Sequence, residues 1–450
     1  MDLHFKYVTE EIRNKSISLR REFHRYPEVG FTEYRTSGRI AELLEDYGYE
    51  VAVGSDVCKK ESRMGLPSAE YMEECEKRAL QEGLRHKYCN KMTGGQTGVA
   101  GIIKGDKEGP VIALRFDIDA LPINEKTELS FSSVHKGVMH ACGHDGHIST
   151  GLSVAKCIAV NKDKIKGEIR IIFQPAEEGC KGSVSVVDNG WLDHVDLFLS
   201  GHIGISCKKL GQIYACNSGF LATTKLDVFF HGVSAHAGKV PEAGRNALLA
   251  GAVFTTNAYA ISRTSKGDTR INVGKFIGGT GRNIVADSAF LEVETRGIDS
   301  EANQYMEEQV MKIAEGAARM YDVTYDIKRV GGSGSGKCSP EVVERLKKHA
   351  TDMSEEIDYR DDGFMGASED VTAMMDYVQK NGGKAAYYLF GAELSAEHHQ
   401  DNFDFNEDVI PIMTEFYLRA VIDESYEEDG MLWNSMLLRL QDSLEVWEGL

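Results

Sequence analysis

At 450 residues the chain exceeds the length over which one hydrophobic core keeps growing, so two domains are expected. Its 42% apolar and 27% charged residues are those of a globular protein. A formal charge of −19 excludes nucleic acid and anionic membrane as partners, since both require a basic footprint.

Nine scattered cysteines and an N-terminus, Met1-Asp2-Leu3-His4-Phe5-Lys6, without the apolar core of a signal peptide indicate a soluble protein of the reducing cytoplasm. No apolar run is long enough to span a membrane. Hydrophobic periodicity predicts an amphipathic helix over 9–26, built on Ile12, Ile17, Leu19 and Phe23. A polar turn follows, then a second helix over 37–47 closed by Gly48, and a strand over 49–53. Residues 54–96 change character: the charge-dense, mostly helical stretch over 61–84 reads as an insertion on the surface or at a partner interface.

Strands are expected over 98–103 and 111–116, the second running into Arg115-Phe116-Asp117-Ile118-Asp119-Ala120-Leu121-Pro122. After it comes Met139-His140-Ala141-Cys142-Gly143-His144-Asp145-Gly146-His147, followed by a helix over 148–160. Strands over 167–173 and 195–200 end in Gln174-Pro175-Ala176-Glu177-Glu178-Gly179 and Gly201-His202-Ile203-Gly204. Alternating strands and helices imply a mainly parallel sheet, with polar groups gathered at the carboxyl ends of its strands.

From about residue 218 the order becomes strand (224–230), helix (243–261), strand (271–276), strand (290–295), helix (301–321) and strand (323–327). That is the β-α-β-β-α-β order of a ferredoxin-like unit. It stops at Gly331-Gly332-Ser333-Gly334-Ser335-Gly336, a flexible-linker composition. The expected organisation is a first domain over 1–217, an inserted domain over 218–330, and the first domain's return over 331–450. The returning part carries a helix over 340–353, the turn Gly366-Ala367-Ser368-Glu369-Asp370, a strand over 385–390 and a helix over 409–421. Between the last two lies Ala396-Glu397-His398-His399-Gln400-Asp401-Asn402-Phe403; an acidic tail over 423–450 shows no evident chemistry.

Cys142 and His144 are two apart and cannot share a helix face, but a glycine-kinked turn lets them converge on one ion. Alone, such a turn reads equally well as a buried polar turn with an inert cysteine. Their company favours metal: Glu177-Glu178, His202 and His398-His399 fall on other turns and strand ends. Thiolate, imidazole and carboxylate together suit zinc or another borderline divalent ion. Five ligands are one more than a tetrahedral site takes, which points to two ions sharing a ligand. Adjacent Glu177 and Glu178 suggest a division of labour, one carboxylate holding metal and the other acting as general base on water.

These motifs, with Ser234-Ala235-His236-Ala237, the early Arg21-Glu22-Phe23-His24-Arg25-Tyr26-Pro27-Glu28-Val29-Gly30, and His399 four residues before Phe403, span about residues 20 to 410. In this order they resemble the metallopeptidase and amidohydrolase family of carboxypeptidase G, aminoacylase and the auxin-amide hydrolases. Within it the chain is most similar to the A-type subunits of the aminobenzoyl-glutamate hydrolase branch. That finer likeness rests on Ser62-Arg63-Met64-Gly65-Leu66-Pro67, on Ala235-His236-Ala237-Gly238 with Gly244-Arg245-Asn246-Ala247-Leu248, and on Ser368-Glu369-Asp370-Val371-Thr372.

The resemblance implies an α/β fold: a mainly parallel-sheet, zinc-peptidase-like catalytic domain with an inserted ferredoxin-like α+β dimerisation, or lid, domain. It implies two divalent ions, Mn2+ or Zn2+, with Cys142 bridging and His144, Glu178, His202 and His399 completing the two positions. Glu177 becomes the general base, and Asp119 and Asp117 orient the ligands from behind. His236 is expected to reach a partner subunit's site and donate to the oxyanion. Asn283, Arg296 and Arg282 are expected to hold the substrate's free carboxylate, with Arg245 a lesser candidate; the competing reading of each arginine is a surface salt bridge.

The implied activity is metal-dependent hydrolysis of the amide bond of small N-acyl amino acids by a homodimer or by a heterodimer with a related subunit. The favoured substrate is p-aminobenzoyl-glutamate, giving p-aminobenzoate and glutamate. The alternatives are another N-acyl-amino-acid amidohydrolase, a dipeptidase, or a non-catalytic paralogous subunit. One departure from the family pattern is the pair Gln400-Asp401 after the last ligand.

Overall fold

The structure, a computed structural model, describes residues 5–425. It opens with α1 (Glu10–Arg25), α2 (Tyr34–Tyr47), β1 (Glu50–Val53), α3 (Ala69–Gln81), α4 (His86–Met92), β2 (Val99–Lys104) and β3 (Lys107–Asp117). Next come α5 (His144–Val160), β4 (Lys166–Gln174), α6 (Ser183–Val187), β5 (Leu197–Ile203) and β6 (Gln212–Phe220). A second unit is formed by β7 (Ala222–His231), α7 (Ala247–Tyr259), β8 (Thr269–Gly278), β9 (Ser288–Gly297), α8 (Ser300–Met320) and β10 (Thr324–Ser333). The chain then adds α9 (Pro340–Thr351), β11 (Asp358–Ala367), α10 (Val371–Lys380), β12 (Lys384–Phe390) and α11 (Val409–Ser425).

Eight strands form one mixed sheet in the order β1-β2-β4-β3-β5-β12-β6-β11. Its centre, β4-β3-β5-β12, is parallel throughout. A strand covered on both faces has no solvated side on which to place polar residues, so it reads as a continuous apolar run. All seven residues of β5 are buried, for example. α5 packs against α1, α2 and α11, and 14 of its 17 residues are buried, so it is a core helix with no solvent face. It begins at His144, four residues before the position expected from periodicity, because Gly143 at φ 93° turns the chain straight into the helix. The left-handed backbone there favours glycine.

The second sheet is antiparallel, in the order β10-β7-β9-β8. α7 and α8 cover one face, with Leu226, Val228, Phe230, Phe254, Leu291 and Val310 in a separate small core. β9 alternates buried and less buried residues as a one-sided strand should.

Three expectations change. Residues 54–96 are not a surface appendage: Val57, Cys58, Cys75, Ala79, Tyr88 and Met92 belong to the main core. The charges that suggested a solvated helix occupy only its outer side. The glycine run at 331–336 is not wholly a linker, since Gly331, Gly332 and Ser333 are buried at the end of β10 and pair with β7. A side chain there would strike the turn after Glu178: a methyl group on Gly331 would lie 2.4 Å from the Gly179 carbonyl oxygen. Sequence periodicity also missed β6, β11 and α10. The acidic tail lies mostly outside the described residues. All nine cysteines are free and buried, and no described helix is long and apolar enough to cross a membrane.

Candidate metal centre

The carboxyl ends of β3, β4 and β5, the start of α5 and the loop after β12 converge on one point. There Cys142, His144 and His202 bring donor atoms within 4.8 Å of one another, and Cys142, Glu178 and His399 do the same. Cys142 belongs to both groups; His144, Glu177 and Glu178 form a third. The Cys142 Sγ lies 3.5 Å from His202 Nε2, and Glu178 Oε1 lies 3.4 Å from His399 Nε2. The cluster opens into a cavity of about 480 Å³, walled from the second sheet by Lys225 and Arg296 and from the β11 end by Met365, Ser368 and Glu369.

The imidazoles are oriented by what lies behind them. His144 donates through Nδ1 to the Asp119 carbonyl at 2.8 Å, and His202 donates through Nδ1 to the Ile203 carbonyl at 2.7 Å. Both therefore turn Nε2 toward the cluster, the arrangement that backing hydrogen bonds impose on metal-binding histidines. His147, in the same nine-residue motif, has no nitrogen to spare. Its Nε2 accepts from the Ile203 N–H at 3.0 Å and its Nδ1 donates to Asp117 at 2.5 Å. His398 likewise spends Nε2 on the Ile203 carbonyl at 3.1 Å. Asp119 accepts from the backbone N–H of Glu177 at 3.1 Å and of Glu178 at 2.9 Å, so one carboxylate sets both the base candidate and its neighbour. In the Gln400-Asp401 pair, Asp401 meets the Lys126 ammonium at 2.6 Å.

The donor set fits a divalent ion. His144 Nε2 and Glu178 Oε1 are buried and make no hydrogen bond. Burial opposes charge on His144, yet Asp117, Asp119 and Glu178 push its pKa up to about 10. Burial and the adjacent Glu178 and Glu177 carboxylates push the Cys142 thiol up. Burial, with Glu369 beside it, raises Glu177 well above the usual carboxylate range. So much gathered acid with so little balancing charge is what a cation resolves. The backbone is strained at the same place: Ala176, Cys180, Ile205 and His399 have φ between 53° and 67°, a conformation costing about 1–3 kcal/mol per residue.

Behind the cluster lies a network that sequence reasoning left without a role. Arg115, fully buried, donates to Asp117 at 2.8 Å, Glu369 at 3.1 Å, Asp370 at 3.2 Å and Gln174 at 2.9 Å. Tyr387 donates to Glu369 at 2.8 Å. Glu177, Glu369 and Asp370 themselves form a close carboxylate group. Glu33, also buried, accepts from the Ala176 N–H at 2.8 Å and from Thr97 at 2.5 Å, fixing the turn that carries Glu177. A signal for Arg115 existed: a lone arginine in the apolar run 111–116 needs buried partners.

The remaining predicted residues separate. Arg296 lines the cavity. His236, Arg282 and Asn283 are exposed on the second unit, and none lines the cavity of its own chain. They stay together: the Ala237 N–H donates to the Asn283 carbonyl at 3.0 Å, and His236 bridges Ile284. The Gly238 N–H donates to His236 Nδ1 at 3.2 Å, which leaves Nε2 facing outward. Arg245 pairs with Asp322 at 2.5 Å on the surface, away from the cavity.

Residues 113–423 match the peptidase family M20/M25/M40. The chain belongs to that family, and it is a hydrolase. It is 40% identical over 406 residues to the indole-3-acetyl-aspartic acid hydrolase of Enterobacter agglomerans, covering 88% of this chain and 92% of that one. It is also 40% identical over 413 residues to the A-type subunit of the p-aminobenzoyl-glutamate hydrolase of Escherichia coli K12, covering 90% and 94%. Among solved structures, the aminobenzoyl-glutamate utilization protein of Klebsiella pneumoniae superposes with a TM-score of 0.79 at 35% identity, over 92% of this chain and 96% of that one. A dinuclear metal-binding M20 peptidase of Bacillus subtilis shares the fold, with a TM-score of 0.66 at 23% identity over 92% of this chain and 99% of that one.

Proposed function

We propose that this hydrolase cleaves the amide bond of N-acyl amino acids, with p-aminobenzoyl-glutamate the favoured substrate. The observation that carries the reading is the clustering of five ligand candidates and the buried Glu177 at one cavity, which all of them but His144 line. Cys142, His144 and His202 would hold one divalent ion, zinc or manganese, and Cys142, Glu178 and His399 a second. Such ions supply Lewis-acid charge at the scissile carbonyl and make water more acidic at neutral pH.

The residues of the chain do the rest. Glu177, buried beside Glu178 and raised in pKa, accepts the proton of the attacking water and returns it to the leaving nitrogen. Asp119 holds Glu177 and Glu178 in register through their backbone N–H groups. Arg296 faces the substrate's free carboxylate. Arg282 and Asn283, beside His236, act with it in a neighbouring subunit's cavity.

Donation to the oxyanion falls to His236 of that neighbour, because its own cavity does not contain it. The surface around it suits an interface between subunits. β8 is an edge strand paired only with β9, and Leu249, Tyr259, Ile277 and Ile284 are 45%, 54%, 56% and 42% exposed. Exposed large apolar side chains beside a free strand edge suit an interaction site. The neighbour is a second copy or a related subunit. The division into a catalytic body over 1–217 and 331–450 and a dimerising lid over 218–330 follows from this reading.

Equal identity to an indole-3-acetyl-aspartate hydrolase favours one second reading, an indole-acetyl acyl group with aspartate. The deciding experiment incubates the purified protein with p-aminobenzoyl-glutamate and with indole-3-acetyl-aspartate, with added manganese or zinc and again after chelation. Metal-dependent release of the amino acid from the first supports the favoured substrate, and from the second alone the alternative. No release from either, with metal bound, rejects both substrates.

A further inference from the structure

In a chain of net charge −19, two lysines stand beside the candidate metal centre. Among the described residues, Lys181 and Lys225 form no side-chain hydrogen bond and no ion pair. Lys225 lines both the metal-site cavity and a second cavity of about 500 Å³; Lys181 lines the second. Their stems meet on the turn that carries the Glu177-Glu178 pair. A methyl group on Gly179 would lie 2.9 Å from Lys181 Cε, and one on Gly331 would lie 3.3 Å from Lys225 Cδ.

Among the described residues, no acid lining the second cavity forms an ion pair with either lysine. In the second cavity, Glu292 is engaged by Lys275 at 2.9 Å and Glu294 by Arg296 at 3.1 Å, which leaves Asp227 as the one lining acid without an ion pair among the described residues. In that cavity two lysines without an ion pair therefore face one such carboxylate, Asp227. Burial and Lys225 lower the Lys181 pKa, and Asp119, Glu178 and Cys180 only partly offset them.

The 54–96 segment is part of this arrangement. Gly65 and Leu66 line the second cavity, and a methyl group on Gly65 would lie 3.2 Å from Lys181 Cε and 2.4 Å from the Val330 carbonyl. Gly65, at φ 60°, thus lets the segment close over the lysine stem where a larger residue would be expelled.

We propose that Lys181 and Lys225, walled by Gly65 and Leu66, form a pocket for the side-chain carboxylate of the substrate's amino acid. The pocket makes this enzyme selective for N-acyl aspartate and N-acyl glutamate over neutral N-acyl amino acids. The inference rests on the N-acyl-amino-acid reading above. Arg296 then takes the α-carboxylate, and the lysine pair reads the second acid that distinguishes glutamate from glutamine.

The test compares p-aminobenzoyl-L-glutamate with p-aminobenzoyl-L-glutamine on the metal-loaded wild type, Lys181→Met and Lys225→Met. The wild type is expected to favour the glutamate conjugate. Each variant should raise its KM by about tenfold to a hundredfold, the range for a lost hydrogen bond to a charged group. The glutamine conjugate should lose much less than the glutamate conjugate, circular dichroism and bound-metal content serve as the folding controls, and Lys225→Arg should restore the preference. Equal wild-type kcat/KM for the two conjugates, or an equal loss on both in the variants, overturns the proposal.

Calorimetric binding of both conjugates to Glu177→Gln protein separates this inference from the hydrolytic one. A glutamate preference that disappears in Glu177→Gln proteins also carrying either lysine change upholds the pocket even if the wild type hydrolyses nothing. Equal affinity for the two conjugates, or no binding of the glutamate conjugate, overturns it.

Discussion

Glu177 and Glu178 are chemically identical and differ only in what surrounds them. Glu178 points a bare oxygen at His399 and the donor cluster, whereas Glu177 faces the carboxylates of Glu369 and Asp370. Glu177→Gln should therefore keep its bound metal, read by elemental analysis, while kcat falls by about 10²–10⁴, the usual worth of a general base. Metal lost in step with activity would reassign Glu177 as a ligand. Arg115 makes a different prediction. Its removal leaves Asp117, Glu369 and Asp370 buried without their cation, and breaking a buried ion pair from one side costs about 3–5 kcal/mol. Arg115→Met should lower the denaturant midpoint accordingly; an unmoved midpoint would mean the network carries no stability.

At the scale of elements, α1 is tied to α5 and to the loop after His399 by buried charge. Arg20 meets Asp145 at 2.8 Å, Asp404 at 2.6 Å and Glu407 at 3.1 Å, and His24 joins Asp145 at 2.8 Å and Glu125 at 3.2 Å. Burial opposes the charge on both members of the His24–Glu125 pair. Hydrogen bonds to Asp145 and Glu125 nevertheless raise His24, and those from His24 and Thr127 lower Glu125 to about 2. The signs set a window. The Glu125 contribution is complete above its ordinary value of 4.5 and fades as pH falls through about 2. The His24 contribution is complete below 6.5 and is lost as pH rises through its raised value. The stability gap between wild type and Glu125→Gln should thus be widest between pH 4.5 and 6.5 and narrow on both sides, measured by urea unfolding. A gap that does not vary with pH would remove the ion pair from the account.

For the whole molecule, the exposed His236 and the cavity that lacks it predict a site shared between subunits. His236→Ala and Glu177→Gln should each be nearly inactive alone. If the assembly is a homodimer, mixing and reassociating the two chains should recover roughly a quarter of wild-type activity, because half the dimers carry one site with both residues intact. No recovery, under conditions where subunits demonstrably exchange, would place the oxyanion donor within one chain. Metal should also act on the fold as a whole, since the ligands come from distant parts of the sequence. Chelation should lower the melting temperature and added manganese or zinc restore it; ion at a hundred times its Kd contributes about 2.7 kcal/mol per site.

What the chain alone determines is considerable. Period-2 and period-3.6 patterns locate most helices and strands, because those periods follow from backbone geometry. The β-α-β-β-α-β order foretells the second sheet. The candidate metal ligands are legible because soft and hard donors rarely gather at strand-end turns without an ion. The tertiary structure decides whatever depends on residues far apart in sequence. Only folding shows that His147 has spent both nitrogens while His144 keeps one. Only folding brings Arg115 and Glu369, 254 residues apart, into one buried network behind Glu177. The charge pattern of 54–96 reports the outer side of that segment and is silent on Cys58, Cys75 and Met92, which face the core. The same glycines that read as a linker at 331–332 are, in three dimensions, the gap through which the Glu178 turn approaches β10. A glycine in sequence marks freedom, and only its neighbours in space reveal whether that freedom is used for motion or for contact.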